Sequence, residues 1–456
     1  FIAPTSTVFT IGSFGSLANA NGGTYIAYLF ADNSSEDADD QMIKCGGYTG
    51  TNTNNGPVVN LGWEPQFVMI KSSNGSGNWI MFDTMRGMTV DGSDRFLFAN
   101  LSNAEDGYSF INVTPTGFKL ITNEGQVNGN ETYIYMAIRA PMMVEPEAAT
   151  DVFAVAAQTG ASGSTPRWVS GFVTDMTIQI EAASSNHTVG TRMLGGNVIY
   201  TDATNAASGG GGKYTWDYMT GFGGGAGANA ANKELMWKRA KGYMDVVAYS
   251  GTGANRTLPH SLSVIPEMIW VKSRSTTEQW IVYHSSMTLS VGTSPPHRIV
   301  SYLNLTNRPA TNQAWDNQAP TDSVFSIGTP DTVNQSTKPY IAYLFATLDG
   351  VSKCGGYTGN GSSQTISCGF SAGSRFVLIH RTDDPDDDGA SGSWYVWDSV
   401  RGIVAGNDPH FSLHTNNGDI TNDDSVDPHN SGFIVNQVSA TDINVSSGKY
   451  IFYAIA

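Results

Sequence analysis

The densest cluster of chemistry-bearing side chains is the run DDPDDDG at residues 383–389. Asp384, Asp386 and Asp388 alternate and Gly389 follows, a spacing at which carboxylates can wrap a calcium ion while glycine makes the sharp turn. Tyr395 stands where an EF-hand places its bidentate glutamate. The loop is therefore either a calcium site of another kind or a solvated acidic loop, and the sequence calls for no other cofactor.

Cys354 and Cys368 flank the turn around Gly361 symmetrically. In a simple hairpin they face each other, within reach of a disulfide. Their counterparts elsewhere, Cys45 with Leu61 and Val246 with Leu262, support the alternative that these thiols serve as small apolar groups. DTMRG (83–87) and DSVRG (398–402) place an Asp ahead of Thr or Ser with Gly closing the group, which suits a turn whose carboxylate accepts backbone N–H bonds. Of the ten tryptophans, Trp79, Trp270, Trp280, Trp394 and Trp397 sit in apolar runs and read as core. Trp168, Trp216 and Trp315 lie outside those runs and are the candidates for stacking on sugar rings.

No HExxH, GxSxG or GxxxxGK[ST] motif occurs, and no Cys–His pairing recurs, so the expectation is a non-enzymatic protein. A net charge of −16 with no compensating basic run repels phosphate backbones and argues against nucleic acid. No apolar run is long enough to span a membrane. The sequons at Asn304 and Asn444 are what so Asn-, Ser- and Thr-rich a chain produces by chance.

The elements that position these residues come from internal repetition. YIAYLFA occurs at 25–31 and again at 340–346, preceded by APTSTVFTIG and APTDSVFSIG. After each comes a KCGGYTG strand, so each heptapeptide reads as the last strand of one module leading into the first strand of the next. The anchoring tyrosines Tyr48, Tyr249 and Tyr357 are spaced 201 and 108 residues apart, which predicts a divergent module in the longer gap. Its closing strand falls on KELMWKRAKG (233–242), whose composition favours helix; the repeat register argues for strand.

Short alternating strands punctuated by Gly and Asn turns give an all-β fold of tandem antiparallel β-sandwich modules, jelly-roll or lectin-like, each of about 100 residues. The divisions are 1–31 (the C-terminal part of a truncated module), 42–142, 150–242 (divergent), 243–347 and 350–456. The last four are called here the first to fourth modules. The closing strands are apolar on both faces, which implies that the second face packs on another module or another chain.

With FDxxRG, PxMIxVKxR followed by a Trp-led strand, APTxxVFxIG and YIAYLFA, the chain resembles a repeat-module family of unknown function in virion structural and tail-fibre-like proteins of tailed phages, especially marine and cyanobacterial ones. The resemblance covers most of the chain and implies a lectin-like or jelly-roll sandwich on the particle surface, with no catalytic residue to transfer. It leads to the expectation of a virion structural protein, a tail fibre or capsid decoration. Its partners would be other virion proteins and copies of itself, with host-surface glycans as the attachment target. The rival readings are a cellular glycan-binding adhesin or surface filament protein and, behind it, a polysaccharide depolymerase.

Overall fold

A computed structural model describes residues 3–12, 18–32, 41–90, 92–140, 143–157, 166–180, 186–209, 214–224, 232–289, 292–383 and 392–456. The fold is all-β, with every strand pairing antiparallel, and each module is a β-sandwich of one large and one small sheet. In the third module the large sheet runs Met244–Ser250, Pro339–Phe345, Met268–Ser273, Ile281–His284, Ile299–Tyr302, Ala310–Thr311. The closing strand thus lies between the opening strand and the next long strand, and the small sheet pairs Arg256–Pro259 with Val324–Ile327. The first and second modules repeat this order in their large sheets, and the fourth repeats its first five strands.

The order explains the composition of the closing strand. A strand with neighbours on both edges and sheet faces on both sides carries apolar groups in every direction. Tyr340–Ala346 is at most 1% exposed along its whole length. Tyr340, Ala342 and Leu344 point into the sandwich, while Ile341, Tyr343 and Phe345 point out of the far face into a second core shared with other modules.

The first heptapeptide corrects the expectation that both copies are strands. Residues 18–32 contain no strand, and Ile26, Tyr28, Leu29 and Phe30 are 80, 79, 74 and 55% exposed. An isolated extended segment has no partner for its backbone groups and no sheet to lie on, so local sequence alone does not make it a strand.

In the divergent module Lys233–Trp237 is a strand, set between Phe153–Ala157 and Met176–Ile180. Pairing on both edges and burial of Leu235, Met236 and Trp237 outweigh a helix-favouring composition.

Each of the other three modules is locked by the same buried set. Tyrosines of the opening and closing strands stack, Tyr48–Tyr133, Tyr249–Tyr340 and Tyr357–Tyr450, with centroids 5.1, 5.3 and 4.7 Å apart. Before each closing strand a buried Asn joins the opening turn to the small-sheet end: Asn128, Asn334 and Asn444 accept from the N–H of Thr51, Thr252 and Asn360. Their amides donate to the carbonyls of Thr53 and Thr122, Ala254 and Gly328, and Ser362 and Val435.

Identical sequence in opposite environments gives a direct test. Amide hydrogen exchange should show Tyr340–Ala346 protected to the level of the module core and Tyr25–Ala31 exchanging as fast as an unfolded peptide. Equal protection of the two heptapeptides would contradict the placement of the first.

Candidate functional site: a three-module core and one uncovered sheet face

The face that matters is the outward side of the large sheets. In the second, third and fourth modules this side is buried, and its side chains, among them Ile178, Leu235, Trp237, Trp270, Tyr343, Leu378 and Tyr453, belong to one continuous cluster that also runs into the sandwich interior of the first module. Rings from different modules meet there: Trp237 and Phe153 on Phe376 at 5.7 and 5.5 Å, and Phe345 on Tyr453 at 5.1 Å.

Side-chain contacts at one recurring position tie these modules in a cycle. Trp280 precedes Ile281, which faces Tyr302; Trp394 precedes Tyr395, which faces Ser412; His187 precedes Thr188, which faces Tyr200. The Trp280 indole Nε1 donates to the carbonyl of Tyr200 at 2.7 Å, and Trp394 Nε1 to that of Tyr302 at 2.9 Å. His187 closes the cycle by packing edge-on against Phe411, the neighbour of Ser412, at 5.5 Å. The third module thus leans on the second, the fourth on the third and the second on the fourth.

Histidines in this core are held neutral. His284 Nδ1 accepts the Ser286 N–H (3.1 Å) while Nε2 donates to the Phe452 carbonyl of the fourth module (3.2 Å), which fixes its tautomer. Burial pushes its pKa down to about 4, with the Phe452 bond opposing. His380 stacks on Trp394 at 4.1 Å, contacts Ser301 Oγ of the third module at 3.0 Å, and is lowered to about 3, mainly by burial. Burial, helped by Arg401, lowers His187 to about 4.

The first module joins this ring elsewhere. Ile111–Thr114 lies against Met244–Ser250 of the third module, and Val90 donates to the Met193 carbonyl of the second. Where three modules meet, the Arg239 guanidinium holds both Glu64 oxygens (2.9 and 3.1 Å) and Asp245 Oδ1 (2.7 Å), while its backbone N–H donates to Asp175. Burial works against the charged guanidinium, yet Asp245, Glu64 and Asp175 hold it above its usual range; burial raises the Glu64 carboxyl despite Arg239. The charges of this joint are paired with one another.

The other candidates from the sequence resolve as follows. Trp168, Trp216 and Trp315 are 2, 3 and 2% exposed, so none offers a face to a sugar; their rings pack on Phe222 and Tyr283 inside the sandwiches. Cys354 and Cys368 are free buried thiols. The hairpin reading fails because Cys354 lies in Ser352–Thr358 and Cys368 directly follows Gln364–Ser367, strands that belong to different sheets of the fourth module and pair with Lys449–Ile455 and Gly432–Val435. Asp384, Asp386 and Asp388 lie outside the described residues; the adjoining Asp383 accepts Arg381 Nε at 3.0 Å. Asp83 and Asp398 accept the N–H of Arg86 and Arg401 and pair with their guanidiniums, a turn structure. Asn444 is wholly buried and unavailable as a glycan acceptor.

Sequence reasoning missed the asparagine lock. Its signal is a Val- or Ile-Asn pair five or six residues before the closing-strand tyrosine, as at Asn128, Asn334 and Asn444. It also missed two buried carboxylates. Asp94 accepts the N–H of Phe110 and Ile111, and Asp408 those of Ser425 and Val426; burial pushes both up to about 7 against these bonds.

The family described as a domain of unknown function (DUF7483) matches residues 1–141 and 170–456, so the chain belongs to that family. No curated protein matches it.

The His284 bridge predicts a pH signature. Its pKa falls from 6.5 unfolded to about 4 folded, so its stabilisation is complete above pH 6.5 and is lost as pH drops through 4. His284→Asn cannot become charged. Between pH 6.5 and 4.5 the native protein should lose up to about 1.4 kcal/mol per pH unit relative to that variant in urea unfolding. A pH-independent difference would contradict the bridge.

Proposed function

We propose that this DUF7483 member is a non-enzymatic structural protein of a tailed-phage virion, a tail fibre or surface decoration displayed on the particle surface. The observation that carries the reading is the three-module core. Tryptophan, histidine and large apolar groups that could have built a ligand pocket are used to hold copies of one sandwich to each other. Arg239 and the buried carboxylates serve the same end by fastening modules and turns.

Such a body is suited to display. Rigid sandwiches present many polar turns, among them the exposed 51–55 and 360–363 segments, at fixed separations. Contact with host-surface glycans falls to those turns, because the tryptophans proposed for stacking are interior. Repetition makes weak contacts useful, since several sites on one body bind with high effective concentration. The resemblance to phage modules supplies the particle setting, and other virion proteins are the partners it calls for.

Peptide mass spectrometry of gradient-purified particles should find the protein in fixed ratio to capsid and tail proteins. Recovery in cell-surface or filament fractions, with none in particles, would contradict the virion assignment and favour a cellular adhesin.

A further inference from the structure

The first module has the same large sheet as the ring modules, yet among the described residues its outward face is only half-buried. Burial along its strands alternates over 67–72, 80–83 and 132–138: the buried residues Val68 and Ile70 flank the half-buried Met69, and the other two stretches follow the same rule. The outward residues are nevertheless apolar. Phe67, Met69, Met81, Ile134, Met136 and Ile138 occupy, by strand register, the positions of Met268, Trp270, Val282, Ile341, Tyr343 and Phe345 in the third module. Those six are at most 1% exposed, whereas Ile134 is 43% exposed and the rest of the first-module set are half-buried.

The cyclic hydrogen-bond position is present too. Trp79 precedes Ile80, which faces Phe98, the counterparts of Trp280, Ile281 and Tyr302. Trp79 is half-buried; its backbone N–H donates to Asn100 Oδ1 at 2.9 Å, and its indole N–H donates to no described residue. Two of the charged groups bordering the face are paired or hydrogen-bonded within the module: Asp83 pairs with Arg86 at 2.6 Å, and the Lys71 ammonium donates to the carbonyls of Ser72 and Gly75, while Arg95 is more open, 4.0 Å from Glu105. Pairing and hydrogen bonding offset part of the cost of desolvating these charges when the face is buried.

We infer that three copies of this chain associate through their first modules, packing these faces around a threefold axis in the arrangement the second, third and fourth modules adopt within one chain. The occupant is argued from the chain itself. One polypeptide already shows that this sheet face, in this family of modules, is covered by two others in a cycle, two of the three links being an indole N–H donating to a neighbouring module's backbone carbonyl and the third the His187 ring packing on Phe411. In the trimer, Trp79 Nε1 of each copy donates to the Phe98 carbonyl of its neighbour. A heterologous contact that closes after three steps leaves no sticky end. The inference stands on module geometry alone, so its failure would leave the particle assignment untouched.

Sedimentation equilibrium of the full chain at micromolar concentration tests it, together with Met81→Asp and Ile134→Asp. These positions are partly open in a single chain, so the variants fold. The expected result is a species of three times the chain mass, reduced to single chains by either substitution, with far-ultraviolet circular dichroism unchanged. In the trimer Met69, Met81 and Met136 should oxidise at least tenfold more slowly with hydrogen peroxide than Met42, which is 64% exposed, and Met69 and Met136 should lose that protection in Ile134→Asp. A monomer or a dimer would overturn the inference, as would a trimer indifferent to both substitutions.

Discussion

A strand that is apolar on both faces must be covered on both, and the rest of this molecule follows from that constraint. Burying each Phe, Leu or Ile side chain is worth roughly 1.5–3 kcal/mol, and seven consecutive residues leave no side on which a closing strand can meet water at low cost. The inner face is met by the small sheet of its own sandwich. The outer face can be met only by another module, which is why the second, third and fourth modules share one core instead of standing as beads on a string. Residues 25–31 show the converse: the same side chains, without sheet neighbours, form no strand.

Polar groups in the shared core follow from its apolar character. A buried donor or acceptor without a partner costs about 1–3 kcal/mol; the Trp237 and Trp270 indoles bear that cost, whereas three other groups carried into the core are satisfied by another module's backbone. Trp280 and Trp394 do this with indole N–H groups, and His284 with a neutral imidazole whose two nitrogens have assigned roles. At this register position the first and fourth modules carry Asp83 and Asp398, which serve their own turns. The third module's histidine serves its turn through Nδ1 and reaches the neighbouring module through Nε2.

Repeat phasing was legible in the sequence because each strand begins and ends at recognisable Gly, Tyr and Trp positions, and it placed the Lys233–Trp237 strand against local propensity. The demand for a second covered face was legible from the closing strand. What was not legible was the division of strands between sheets. Cys354 and Cys368 sit symmetrically about a turn, but the chain crosses there from the large sheet to the small one, and no local pattern records the crossing. The same blindness made Trp168, Trp216 and Trp315 look superficial, since each lies in irregular or very short segments that fold back over a sandwich core. The asparagine lock was hidden because Asn is common in this chain, and only a preceding Val or Ile and a distance of five or six residues from the closing tyrosine distinguish the three that matter.

The central claim is that the second, third and fourth modules hold one another's outer faces and form a single cooperative body. Native-state hydrogen exchange across a denaturant series, read at Met176–Ile180, Met268–Ser273 and Phe376–Arg381, tests it most directly. The account predicts that the slowest amides of all three strands report the same unfolding free energy and the same denaturant dependence, because none can open its outer face without the others. Three separate free energies, each with the shallow denaturant dependence of a lone module, would contradict it.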